Sequence, residues 1–216
     1  MIELQNIYKS YNQVYVLDDI NFKVTKNEII AIEGSSGAGK TTLLKIIGKI
    51  EKPDAGNIMF KEKNITKLDS KKLQKFRNNN IGFVFQFHHL MPEFTALENI
   101  CMPALLSNRD KIETQKKALE LMNFLKIEKK QNSYPDFMSG GEKQRVAIAR
   151  ALINNPDLIL ADEPSGNLDT KQSKEIYNLF NSLRKEFDQT FIIVTHDKEL
   201  SKMSDKKIVL KDGKII

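Results

Sequence analysis

The sequence predicts an α/β fold, with a mostly parallel central sheet covered on both faces, an N-terminal antiparallel β subdomain and an inserted helical subdomain. Three observations predict it. Short apolar runs at Ile29–Ile32, Leu158–Ala161 and Phe191–Val194 read as buried strands. Amphipathic stretches, Leu43–Ile47 and Ile176–Phe187 among them, alternate with those runs. The first run also ends on a glycine-rich turn that opens a helix.

From the N-terminus, Ile2–Tyr8 and Val14–Val24 alternate apolar and polar residues in short β-rich pieces. Ile29–Ile32 then meets a tight turn at Glu33-Gly34. A helix is expected from Lys40 to about Ile50, with Leu43, Leu44, Ile46 and Ile47 inward. Pro53, Asp54 and Gly56 break it, and Ile58–Phe60 resumes as strand. Ile81–Phe85 is β-prone. From Gln86 to about Ala151 the pattern turns to helix and loop, with Ile112, Ala118, Leu119, Met122 and Leu125 near helical spacing. That stretch, about residues 87–151, is the subdomain inserted in a single domain of residues 1–216. Leu158–Ala161 follows Pro156 as a strand, and Ile176, Leu179, Phe180, Leu183 and Phe187 form one helix face. Phe191–Val194 is again strand, and Asp212-Gly213 is a hairpin turn between two last short strands.

A length of 216 residues suits one sizeable domain. Hydrophobic residues at 40% and charged residues at 29% are ordinary for a soluble globular protein. No run of roughly 18 apolar residues occurs, so no spanning segment is expected. The N-terminus MIELQNIYKS lacks the apolar stretch of a secretory signal. A single cysteine, Cys101, excludes an internal disulfide and suits a reducing cytosol. The net charge of +6 comes from scattered lysines, which read as a solvated surface; a weak pull toward an anionic membrane leaflet is the alternative.

Gly34-Ser35-Ser36-Gly37-Ala38-Gly39-Lys40-Thr41-Thr42 fits the pattern G-x-x-x-x-G-K-[ST]. Glycines let successive backbone N–H groups point at phosphate oxygens, and the helix opening at Lys40 adds its positive dipole end. Lys40 supplies a full charge for the β- and γ-phosphates, and the Thr41 hydroxyl is a ligand for Mg²⁺. Kinases, GTPases and transport ATPases share this motif. The guanine-specific Asn-Lys-x-Asp tetrad is missing, which favours ATP.

Leu158–Pro164 is an apolar strand that delivers two acids at its end. Asp162 is expected to hold Mg²⁺, and Glu163 to orient or deprotonate the attacking water. His196 also follows a buried strand. With the phosphate loop and the acid pair at other strand ends, it is expected to contact the γ-phosphate.

The run Met138–Leu152, MSGGEKQRVAIARAL, adds a second anion site: Ser139, Gly140 and Gly141 would open a helix with exposed N–H groups. One nucleotide per chain has no use for two phosphate loops. Two copies packed head to tail do, since each then completes the other's site.

With these motifs in this order, the chain resembles the ABC ATPase family from about Met1 to Gly213. The resemblance implies that Tyr11 stacks on adenine and that Gln86 links the γ-phosphate and Mg²⁺ to the transport partner. It implies further that Ser139, Gly140, Gly141, Glu142 and Asp169 reach the ATP of the other copy, with Gly166-Asn167-Leu168-Asp169 crossing the interface. Met138 and Glu142 stand where the family usually has leucine and glutamine, both mild departures. Phe83–Pro103 resembles the lipoprotein-releasing (Lol) branch of the family; macrolide exporters and a cell-division branch share much of its wording. The branch implies a homodimer of this subunit bound to integral membrane permease subunits, at the cytoplasmic face of the inner membrane, acting on lipoproteins only through those subunits.

His88-His89 has no nearby Cys or third His and makes a poor metal site. Phe87, Leu90 and Phe94 of the same loop are expected to form an exposed apolar surface for a membrane subunit. Soluble relatives that act on DNA or ribosomes carry coiled coils or tandem cassettes, for which 216 residues leave no room, so no nucleic-acid partner is expected. A small-molecule kinase would not need the Ser139-Gly140-Gly141 loop.

Overall fold

A computed structural model describes residues 1–166 and 168–216. In chain order the elements begin with β1 (Ile2–Tyr11), β2 (Val14–Val24), β3 (Ile29–Glu33), α1 (Lys40–Ile47), β4 (Ala55–Phe60) and β5 (Lys63–Asn64). Next come α2 (Ser70–Asn80), β6 (Ile81–Phe85), α3 (Ala96–Leu105), α4 (Lys111–Phe124) and α5 (Gly140–Leu152). The chain closes with β7 (Leu158–Asp162), α6 (Thr170–Phe187), β8 (Thr190–Val194), α7 (Lys198–Lys202), β9 (Lys206–Lys211) and β10 (Lys214–Ile215). Two compact units result, one of Met1–Arg77 with Ser182–Ile216 and one of Asn78–Asn181.

In the first unit, β2, β1, β4 and β5 form an antiparallel sheet in that order. The alternation read in the sequence puts Ile2, Leu4, Ile7, Leu17, Ile20 and Val24 inside, each 1% exposed or less. The apolar run of β3 lies between the parallel strands β8 and β9, and its residues are buried on both faces. β10 returns antiparallel along β9 through the turn at Asp212-Gly213. Helix α1 buries Leu43, Leu44, Ile46 and Ile47. It stops at Ile47 rather than near Ile50, because Gly48 caps it and Lys49 turns left-handed at φ 56°.

The second unit holds β6 and β7 as a parallel pair, from Ile81↔Leu158 to Phe85↔Asp162. Helix α5 packs on β6 and α3, and α3 on α4. In α4 the buried positions are Thr114, Ala118, Leu121 and Met122, while Ile112 is 77% exposed and Leu119 also faces outward. The expectation that those two were inward is corrected: at 100° per residue they fall off the stripe that Ala118 and Met122 define. Helix α2 was not anticipated, since Leu73 and Phe76, both half-buried, are too few to make a periodic apolar stripe.

Candidate nucleotide site

The first unit carries the phosphate loop at the carboxyl end of β3. Gly39 adopts φ 99°, and a Cβ there would stand 2.6 Å from the Val16 carbonyl oxygen. At Gly34 a Cβ would lie 2.3 Å from the Leu210 carbonyl oxygen, so a side chain fits at neither position. The loop is therefore bare backbone of the kind a chain of phosphates needs. No side chain caps α1, and its first turn holds no acid, so the positive dipole end is not neutralised by its own cap. Lys40 curls over the loop, its Nζ donating to the Gly34 and Ser35 carbonyls at 2.8 and 2.9 Å.

His196 follows β8 beside this loop's strand, with the Thr195 N–H donating to the Ile32 carbonyl at 3.1 Å. It is exposed, and Asp197 next to it caps α7 through the Glu199 N–H at 2.8 Å. At the end of β1, Tyr11 is half-exposed and its hydroxyl donates to the Glu51 carboxylate. That hydrogen bond leads the causes that raise the Tyr11 phenol above its ordinary value. Lys9 lies 5.2 Å from the Tyr11 ring centre and 3.4 Å from Glu51, so the ring is held on two sides.

The second unit carries the other groups. The register Phe85↔Asp162 means that Gln86 and Glu163 leave neighbouring parallel strands at one edge. Glu163 sits in the left-handed region at φ 46°, and its carbonyl accepts the Gly166 N–H at 3.0 Å. A Cβ on Gly166 would stand 2.8 Å from Gln86 Nε2, so the missing side chain lets Gln86 lie against the turn that follows Glu163. Buried Ser165 and Tyr177 hydroxyls, 2.8 Å apart, tie this turn to α6. The Asp169 carboxylate accepts the Gln172 N–H at 2.8 Å at the start of α6. Asn167, expected in the interface-crossing loop, lies outside the described residues. Gln86 and Asp162 of this unit, like Thr41 of the first, carry hard oxygen donors, the ligand type Mg²⁺ takes.

Ser139 caps α5 as expected of a helix start, and its N-terminus is partly spoken for. The Ser139 Oγ accepts the Glu142 N–H at 3.3 Å, and Glu142 accepts the Ser139 N–H at 2.8 Å. Lys130 pairs with Glu142 at 3.1 Å. Burial alone would raise the Glu142 carboxyl; the Ser139 hydrogen bonds and Lys130 outweigh it and hold it below its ordinary value. Gly140 and Gly141 continue the first turn.

In the loop after Gln86, Phe87 is 70% exposed and Phe94 also faces solvent, while Leu90 is half-buried. His88 and His89 are both left-handed, at φ 57° and 47°, and their carbonyls accept Arg150 Nη2 and Nη1 at 2.5 and 2.6 Å. Among the described residues no three His, Cys, Asp or Glu side chains gather as a metal group. Sequence reasoning missed Arg150 and Tyr177. No spacing rule marks either one, since their partners are backbone carbonyls of a distant loop and the hydroxyl of Ser165.

A phosphate loop at one strand end and a glutamine and acid pair at two others define a P-loop ATPase cassette. The protein-family model described as ABC transporter matches residues 17–166, and the chain belongs to that family. Lipoprotein-releasing system ATP-binding protein LolD of Cytophaga hutchinsonii is 48% identical over 216 residues, 100% of this chain and 99% of that protein. The protein of the same name from Bacteroides fragilis is 49% identical, with 100% of both chains covered. Among solved structures, a dimeric post-hydrolysis state of an ATP-binding cassette bound to ADP and Pi matches with a TM-score of 0.91. That likeness has 39% identity and covers 100% of this chain and 96% of the other.

Proposed function

We propose that this chain is the ATP-hydrolysing subunit of a lipoprotein-releasing transporter, working as a pair of copies attached to membrane permease subunits at the cytoplasmic face of the inner membrane. The observation that carries this reading is end-to-end identity of 48% and 49% to two proteins named for that system. In this reading the Gly34–Thr42 loop and Lys40 hold the phosphates and Tyr11 the adenine. Thr41, Gln86 and Asp162 would hold Mg²⁺, which when bound would supply positive charge to the phosphates. Glu163 directs the attacking water and accepts its proton, and His196 donates to the γ-phosphate. Ser139 to Glu142 and Asp169 serve the nucleotide of the other copy. Among the described residues no helix is long and apolar enough to cross a membrane. In this reading the exposed Phe87 and Phe94 of the loop after Gln86 meet the permease and pass motion to it.

The test is reconstitution with the co-purifying permease in vesicles that carry a lipid-anchored lipoprotein. ATP should be hydrolysed faster with the lipoprotein present, and the lipoprotein should leave the vesicle. Hydrolysis indifferent to lipoprotein, with no release, would remove the cargo from the reading.

A further inference from the structure

Two consecutive bulky residues in the left-handed region persist only where their surroundings hold them. At His88 and His89 the holding group is on the page. Arg150, a residue of α5, places its planar fork on both carbonyls at once, at 2.5 and 2.6 Å, one N–H donor to each. Burial lowers the guanidinium below its ordinary value, and of its two hydrogen bonds the one to His88 is part-buried while the one to His89 lies at the surface. The same loop is fixed at two further points. The His89 ring stands edge-on to Phe85 at 5.1 Å. Asn99 of α3 accepts the Met91 N–H at 2.8 Å and donates to the Met91 and Phe94 carbonyls at 3.1 and 2.9 Å.

Arg150 sits in the last turn of the helix that Ser139 caps. The two are separated by three turns, roughly 16 Å at the usual rise, and a hydrogen-bonded helix transmits displacement over that length as a rod. The exposed Phe87 lies immediately before the clamped pair and Met91 shortly after it. We infer that Arg150 is a positioning residue that locks the partner-facing loop after Gln86 to α5, so that a push on the loop moves the Ser139 end with it. This rests on the reading of the loop as a permease contact. Lysine is a poorer replacement, since its donors all sit on one nitrogen, whereas the rigid guanidinium sets a separate nitrogen against each of these carbonyls.

The experiment compares Arg150→Lys and Arg150→Met with the wild type, both as the isolated cassette and in the complex with its permease. The inference expects a KM for ATP within about twofold of wild type everywhere, a kcat of the isolated cassette also within about twofold, and loss of most of the permease's stimulation of kcat. Unchanged stimulation, or an equal loss with and without permease, overturns it. A second measurement needs no variant: hydrogen exchange in the wild-type complex should show residues 86–91 and the first turn of α5 changing protection together on permease binding. A change confined to the loop overturns the inference. Neither measurement uses lipoprotein, so failure of the cargo reading leaves a separate trace: wild-type stimulation by permease with no response to lipoprotein.

Discussion

Glu163 combines an acid at a strand end with a backbone at φ 46°, a conformation that costs a bulky residue about 1–2 kcal/mol and is kept where geometry matters more than stability. Glu163→Gln preserves the size and the turn but removes the carboxylate proposed to accept the proton. Turnover should fall by about 10²- to 10⁴-fold while ATP still binds, measured by phosphate release alongside nucleotide binding. Hydrolysis at the wild-type rate would take the role from Glu163. Glu142 makes a second, independent prediction. Its folded carboxyl lies below the ordinary 4.5, so its contribution to stability is present above that pH and lost as pH falls through the folded value. Glu142→Gln keeps a capping oxygen without the charge. The stability gap between wild type and variant, read by urea unfolding, should therefore be larger at pH 7 than at pH 3.5. A gap independent of pH would mean that Lys130 and the Ser139 amide do not act on a charge there.

The elements differ in how openly the sequence declares them. β3, β7 and β8 are built on the runs Ile29–Ile32, Leu158–Ala161 and Phe191–Val194, each buried throughout and bounded on both sides by polar residues, which makes them legible. Helix α2 is the opposite case: Ser70–Asn80 buries nothing, and its helicity rests on Lys, Gln and Arg propensity with no periodic face to betray it. The phosphate loop, the acid pair and Ser139 were legible because their chemistry demands fixed residue types at fixed spacing. Arg150, Tyr177 and Glu51 were not, because their partners are backbone carbonyls or side chains far along the chain. In α4, Lys117 presents a testable case of a charge carried inward. Burial, then nearby Arg109, pushes its amine down to about 8, with Asn155 accepting its hydrogen bond at 2.6 Å. The folded state thus holds the proton less tightly than the unfolded chain, so stability should rise with pH between about 8 and the ordinary 10.5. Lys117→Met should flatten that rise, as followed by urea midpoints across the alkaline range. An unaltered slope would place the titration elsewhere.

For the whole molecule, the proposed reading gives the chain two anion sites, the phosphate loop and the Ser139 helix start, for one nucleotide at each phosphate loop, which makes sense if each copy lends its Ser139 end to the other. Complementation tests this without any structure of the pair. Lys40→Ala removes the charge proposed to hold the phosphates yet leaves Ser139 intact; Ser139→Arg does the reverse, placing a bulky side chain where α5 begins. A dimer of either variant has no whole site. A mixed dimer has one, built from the Lys40 loop of one copy and the Ser139 end of its partner. With random pairing at equal concentrations about half of all dimers are mixed. Hydrolysis should therefore appear on mixing two inactive preparations, and with independent sites it should reach about a quarter of the wild-type rate. A mixture as dead as its parts, beside a wild-type chain that hydrolyses ATP at full rate as a monomer at high dilution, would show that one copy is a complete catalyst and that Ser139 serves its own fold alone.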